Sequence, residues 1–138
     1  MSKIKVTQIK ERLLQMFESH LDLSDIPISD AERETKVLSR CIAALAIGLR
    51  AGCTEQEAAA SVWDGADDNG IDAAYYDPGD SCILLVQSKW IKKGAGEPDA
   101  ADIGSFTKGV RDLIEQDATN FHGRLQPKVT DILARLTS

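Results

Sequence analysis

Only one part of this 138-residue chain reads as extended: Ile71 to Tyr76 and Cys82 to Trp90, joined by the turn sequence Asp77-Pro78-Gly79-Asp80. That hairpin is the strongest constraint on the fold. Two strands are marginal alone, so helices, a third strand or a partner must cover them. Alternation puts Ile83, Leu85, Gln87 and Lys89 on one face of the second strand, and Cys82, Leu84, Val86, Ser88 and Trp90 on the other. Both faces begin apolar, which predicts a strand buried on both sides.

The rest of the pattern is helical. Lys3 to about His20 carries Ile4, Ile9, Leu13, Met16 and Phe17 near helical spacing, and LDLSDIPISD breaks it. Ser29 with Glu32 forms a capping-box pattern that predicts a helix to about Arg50. Thr54 with Glu57 predicts another, ending near Trp63. After the hairpin and the loop IKKGAGEPDA, a helix is expected from Ala101 to Ala118, with Phe106, Val110, Leu113 and Ile114 inward. A last helix begins near Pro127 and holds Val129, Ile132, Leu133 and Leu136. The expected fold class is α+β, as one domain over 1–138: an N-terminal helix and linker over 1–28, a core over 29–118, and a C-terminal helix over 119–138. No strand is evident after Trp90.

The net charge of −6 argues against a general nucleic-acid-binding surface. Its distribution is uneven. No Lys or Arg occurs from Ala51 to Ser88, a stretch that holds Glu55, Glu57, Asp64, Asp67, Asp68, Asp72, Asp77 and Asp80. Lys89, Lys92, Lys93, Lys108, Arg111, Arg124 and Lys128 then follow. This suits a cation site beside a phosphate track, and equally a solvated loop beside ordinary surface helices. Cys41, Cys53 and Cys82 form no CxxC pair and sit in or beside apolar segments, so packing in a reduced cytoplasmic setting is expected. The N-terminal stretch reads as a docking helix rather than a targeting signal, and no apolar run is long enough to span a membrane. An EF-hand frame on Gly70 fails, because its first and twelfth positions are Gly65 and Tyr76. His20 and His122 form no zinc pattern, and Trp63 and Trp90 read as core.

A two-residue loop at Gly79-Asp80 places Asp72 opposite Gln87, with Lys89 one step along the same face. A carboxylate, an amide oxygen and an ammonium would then share one spot. Mg²⁺ or Mn²⁺ takes such oxygen ligands, and a lysine beside it stabilises charge on a phosphoryl oxygen. Glu34 is the polar end of the stripe Glu34, Leu38, Cys41 and Leu45, so it is the helix carboxylate expected to reach the site. Glu32 lies with Thr35, Lys36 and Ser39 on the wet side.

At these residues the chain resembles the PD-(D/E)xK nuclease superfamily, in particular restriction-endonuclease-like domains of Mrr type and the N-terminal region of AIPR (abortive infection phage resistance) proteins. The matching pieces are Asp68-Asn69-Gly70-Ile71-Asp72 and Leu85-Val86-Gln87-Ser88-Lys89. The resemblance covers about Ala31 to Ala118. It implies an active-site aspartate at Asp72, the second motif position at Gln87, the lysine at Lys89 and a helix glutamate at Glu34. Asp72, Gln87 and Glu34 would hold the metal. It also implies a core of helix, three-strand meander, helix and strand, Mg²⁺-dependent cleavage of DNA, and a role in prokaryotic anti-phage defence. The chain departs from the pattern in lacking an evident strand after the Ala101 helix and in being much shorter than AIPR proteins. A homodimer, or further domains of a longer chain, is expected to complete it. The alternative reading is a non-catalytic nucleic-acid-binding or dimerisation module on the same fold.

Overall fold

The computed structural model describes residues 2–64, 69–91, 96–97, 99–121 and 123–137. Among these the chain is mixed α+β, with five α-helices and one antiparallel pair of strands: α1 (Lys3–Phe17), α2 (Arg33–Ala51), α3 (Glu55–Ala60), β1 (Ala73–Asp77), β2 (Cys82–Val86), α4 (Ala100–Ile114) and α5 (Gln126–Leu136). No described helix is long and apolar enough to cross a membrane.

The hairpin divides the core in two. Ala73, Tyr75, Leu84 and Val86 pack with Leu13, Phe17, Leu38, Cys41, Ala44 and Ile47 of α1 and α2. Ala74, Ile83 and Leu85 pack on the other side with Trp63, Leu113, Phe121, Val129 and Ile132. Trp63 is fully buried and meets Phe121 edge-on at 5.8 Å. Trp90 packs against the first cluster. Burial lifts the Cys41 thiol to about 12, so it stays protonated and serves as a small apolar residue. The three cysteines are free.

Several boundaries differ from the sequence reading. The Ser29 box does not form: Glu32 occupies the N-cap of α2 without a side-chain cap bond, and Asp30 Oδ1 accepts from Glu32 N instead. The Thr54–Glu57 box does form, and a second one, Asp99–Asp102, opens α4. The register is the expected one, from Ala73 opposite Val86 to Asp77 opposite Cys82. Both strands are shorter than expected, however, and all five residues of β2 are half-buried rather than buried. The expected meander is reduced to an isolated bridge between Val62 and Ala73. Among the described residues no strand follows α4. Ile114, expected inward, is 69% exposed.

The turn before β1 is clamped onto α4. Asn69 and Gly70 both have positive φ, 57° and 78°, the left-handed region that Asn and Gly tolerate best. A Cβ at Gly70 would strike the Ser105 carbonyl, and one at Gly109 would strike the Asn69 carbonyl. Asn69 Nδ2 donates to Asp112 Oδ2 at 2.7 Å, and Asn120 Nδ2 and Lys108 Nζ reach the same oxygen. Those donors, Asn69 first, hold the Asp112 carboxyl down at about 2.

Gly109→Ala is expected to destabilise the fold by about 3 kcal/mol, because backbone rather than a flexible side chain fills the space; thermal melting reads it. Asp112 carries the pH signature of the clamp. Its folded pKa lies below its unfolded value, so its contribution is complete above about pH 4 and is lost as pH falls toward 2. Asp112→Asn should therefore lower stability at neutral pH and flatten the acid limb of a stability-versus-pH curve.

Candidate functional site

The motif is built at the end of the hairpin where the ladder stops. The last ladder pair is Ala73 with Val86. Asp72 N donates to Val86 O at 2.7 Å, so Asp72 is an extra residue against Val86 rather than the direct partner of Gln87. The Asp72 carbonyl accepts from Trp63 N at 2.7 Å and Asp64 N at 3.1 Å. Its carboxylate is buried, and Oδ2 accepts from Ser88 N at 2.7 Å. A bend at Asp72, rather than direct pairing with Gln87, therefore brings the carboxylate beside the departing strand.

Residues 87–90 leave the sheet and are anchored on α2 at Ser88 and Trp90. Ser88 Oγ donates to the Ser39 carbonyl at 2.8 Å, and Trp90 N donates to Ser39 Oγ at 3.1 Å. The first turn of α4 holds the other two motif side chains. Gln87 Nε2 donates to the Asp102 carbonyl at 2.6 Å, and Lys89 Nζ pairs with Asp102 Oδ2 at 3.2 Å. Lys89 lowers the Asp102 carboxyl below the usual range. The Gln87 amide is oriented by this bond with its nitrogen toward α4.

Asp72, Gln87 and Lys89 line one cleft of about 400 Å³, together with Thr35, Lys36, Ser39, Asp64 and Asp102. Glu34 is not among its walls. It is exposed and pairs with Lys10 of α1 at 3.0 Å. The helix turns its Thr35-Lys36-Ser39 side to the cleft, the side assigned to Glu32, because Leu38 and Cys41 draw the Glu34 stripe toward α1 and the core. Asp67, Asp68, Lys92, Lys93 and His122 lie outside the described residues.

The donor set suits a hard cation in part. Asp72 offers a carboxylate and Gln87 an amide oxygen, as Mg²⁺ requires. Asp64 also faces the cleft, but its Oδ2 is engaged by Arg40 Nε at 3.2 Å. Among the described residues, the one group of three ligand atoms within 4.8 Å of each other is Asp77, Asp80 and Cys82, at the opposite end of the hairpin. There Asp77 Oδ1 accepts from Gly79 N and Asp80 pairs with Arg50.

Much of the basic segment is used internally. Lys108 is held by Asp112 and Asn69. Arg124 donates to the Trp63 and Asp64 carbonyls. Lys128 donates to the carbonyls of Ala60 and Val62, and burial there lowers its pKa. A larger groove of about 680 Å³ between α3, β1 and α5 is lined by Trp63, Tyr75, Tyr76 and Arg135, with the Arg135 guanidinium 4.6 Å from the Tyr76 ring centre.

Sequence reasoning missed Asp102 and Ser39. The Asp99-Ala100-Ala101-Asp102 spacing is a cap signal that marks Asp102 as the first turn of α4. Ser39 carried no such signal, since its role depends on where β2 ends. No family model, no curated protein and no solved structure matches this chain.

Ser39→Ala should remove the Trp90 anchor while sparing the Ser39 carbonyl bond. The expected loss is about 1 kcal/mol, with faster amide exchange at Trp90 read by NMR.

Proposed function

We propose that the chain is a nuclease-like domain that hydrolyses phosphodiester bonds of DNA with Mg²⁺ or Mn²⁺, in prokaryotic anti-phage defence. The observation that carries the reading is the meeting of Asp72, Gln87 and Lys89 in one cleft, from a bend, a strand end and the segment after it. Asp72 and the Gln87 amide oxygen would hold the cation, which when bound supplies a polarised water and charge neutralisation at the phosphoryl group. Asp102 holds the Lys89 ammonium at the cleft wall. A phosphate there competes with Asp102 for the ammonium, and Lys89 then stabilises the charge that develops on the phosphoryl oxygen. Ser88 N fixes the Asp72 carboxylate, and Ser39 fixes Ser88. Glu34 has no part in this arrangement.

A second reading, a non-catalytic nucleic-acid-binding or dimerisation module, is favoured by the Lys89–Asp102 pair and by the engagement of Asp64 with Arg40. Both arrangements quiet the charges a nuclease would use.

Plasmid nicking with Mg²⁺ or Mn²⁺ separates the two. The nuclease reading expects cleavage that falls about 10²–10³-fold or more in Lys89→Ala and disappears in Asp72→Asn, with the far-UV spectrum retained. It also expects a metal-induced rise in melting temperature that Asp72→Asn abolishes. Intact plasmid after long incubation, with equal melting curves for parent and variant, leaves the module.

A further inference from the structure

The outer edge of β2 has no partner among the described residues. Ala74 N donates to Ser61 O, and Asp72 O accepts from the residues after Val62, so the even-numbered residues of β1 turn their backbone groups away from β2. The register then fixes the other strand. Cys82, Leu84 and Val86 face β1, while the N–H and C=O groups of Ile83 and Leu85 point outward. No backbone bond from elsewhere in the described chain reaches either residue.

Beside this edge lies uncovered apolar helix. Ser105 and Gly109 are on the flank of α4 that meets Gly70 and Asn69, the turn leading into β1. Phe106, next around the helix, packs in the cluster that holds Ile83 and Leu85. At 100° per residue, Ile103, Val110 and Ile114 fall on the opposite flank of α4. Ile103 is 55% exposed and Ile114 is 69% exposed. The helix that packs with Ile83 and Leu85 through Phe106 thus also carries an exposed aliphatic stripe, and the strand edge is unpaired among the described residues.

We propose that this edge pairs with β2 of a second copy of the chain, antiparallel about a two-fold axis at Leu84, to make a continuous four-stranded sheet. The strand is complementary to itself. Ser81 to Ser88 carries no charge, Asp80 precedes it and Lys89 follows it. Both side chains stay about half exposed while paired within their own chain, Asp80 with Arg50 and Lys89 with Asp102. Antiparallel pairing on Leu84 sets Asp80 of each copy opposite Ser88, beside Lys89, of the other. Parallel pairing would stack like charges. The outward groups of Ile83 in one copy meet those of Leu85 in the other, giving two reciprocal hydrogen-bonded pairs. Ile103 and Ile114 of the two copies close over the Ile83–Leu85 contacts. The inference does not rest on nuclease activity.

Two measurements test it. Light scattering on the parent protein should give a dimer that Ile114→Glu, a change at an exposed position, converts to monomer. In a Cys53→Ala, Cys82→Ala background, Leu84→Cys should oxidise rapidly to a disulfide-linked dimer, since non-hydrogen-bonded antiparallel partners lie about 4.5 Å apart at Cα, within disulfide reach. Leu49→Cys, exposed on α2, is the collision control. A monomeric parent at high concentration overturns the proposal, as does Leu84→Cys crosslinking no faster than the control. If Leu84→Cys fails to fold, the scattering comparison decides alone.

Discussion

The fold turns on one buried cation. Arg40 of α2 is 2% exposed and grips Asp25 with both terminal nitrogens, each at 2.7 Å. Its Nη1 also donates to the Asp22 carbonyl at 2.9 Å, and its Nε reaches Asp64. A guanidinium suits this task because its planar fork meets a carboxylate in two parallel bonds while its remaining donors serve other groups. Removing one partner of such a buried pair typically costs about 3–5 kcal/mol, through the stranded charge. The Arg40 bond also holds the Asp25 carboxyl below its ordinary range.

Arg40 and its neighbour Ser39 together hold the two halves of the motif. Arg40 fixes Asp64, whose N–H caps the Asp72 carbonyl. Ser39 fixes Ser88 and Trp90. Two adjacent residues of α2 thus tie down the bend before β1 and the segment after β2, and α4 supplies the third wall through Asp102. The candidate side chains therefore rest on helices rather than on the short sheet, whose two strands could not position them alone.

The hairpin, its register and the helix order were legible in the sequence because local rules set them: alternation, a Pro-Gly turn, cap spacings and apolar stripes. Asp72, Gln87 and Lys89 do line one cleft, but through the bend at Asp72 rather than through the strand parity expected for them. Glu34 was misassigned because helical periodicity defines a stripe but not its neighbour, and α1 supplied Lys10. The end of β2 was misread because two backbone donors of a longer strand go elsewhere: Ser88 N to the Asp72 carboxylate and Trp90 N to Ser39 Oγ, far back in the chain. Ser29 looked like a cap, yet the preceding linker is drawn to Arg40 and α2 opens at Glu32 without a side-chain cap. Such distant competitors leave no mark in a local window.

The Asn69-Gly70 turn has a consequence for the chemical lifetime of the protein. Asn-Gly is the dipeptide in which the following amide nitrogen most readily attacks the asparagine side chain, giving a cyclic imide and then aspartate or isoaspartate. Here the Asn69 amide is tethered through Nδ2 to Asp112, and the Gly70 backbone packs closely on Ser105 of α4, so the turn is held against the rotation that ring closure needs. The folded state thereby shields a bond that the unfolded chain would lose with age. Deamidation in an opened molecule would leave a carboxylate facing Asp112, and the clamp could not close again. Peptide mapping after prolonged storage, native against denatured, reads this difference. Damage at this turn would be irreversible and would accumulate in whatever fraction of molecules opens.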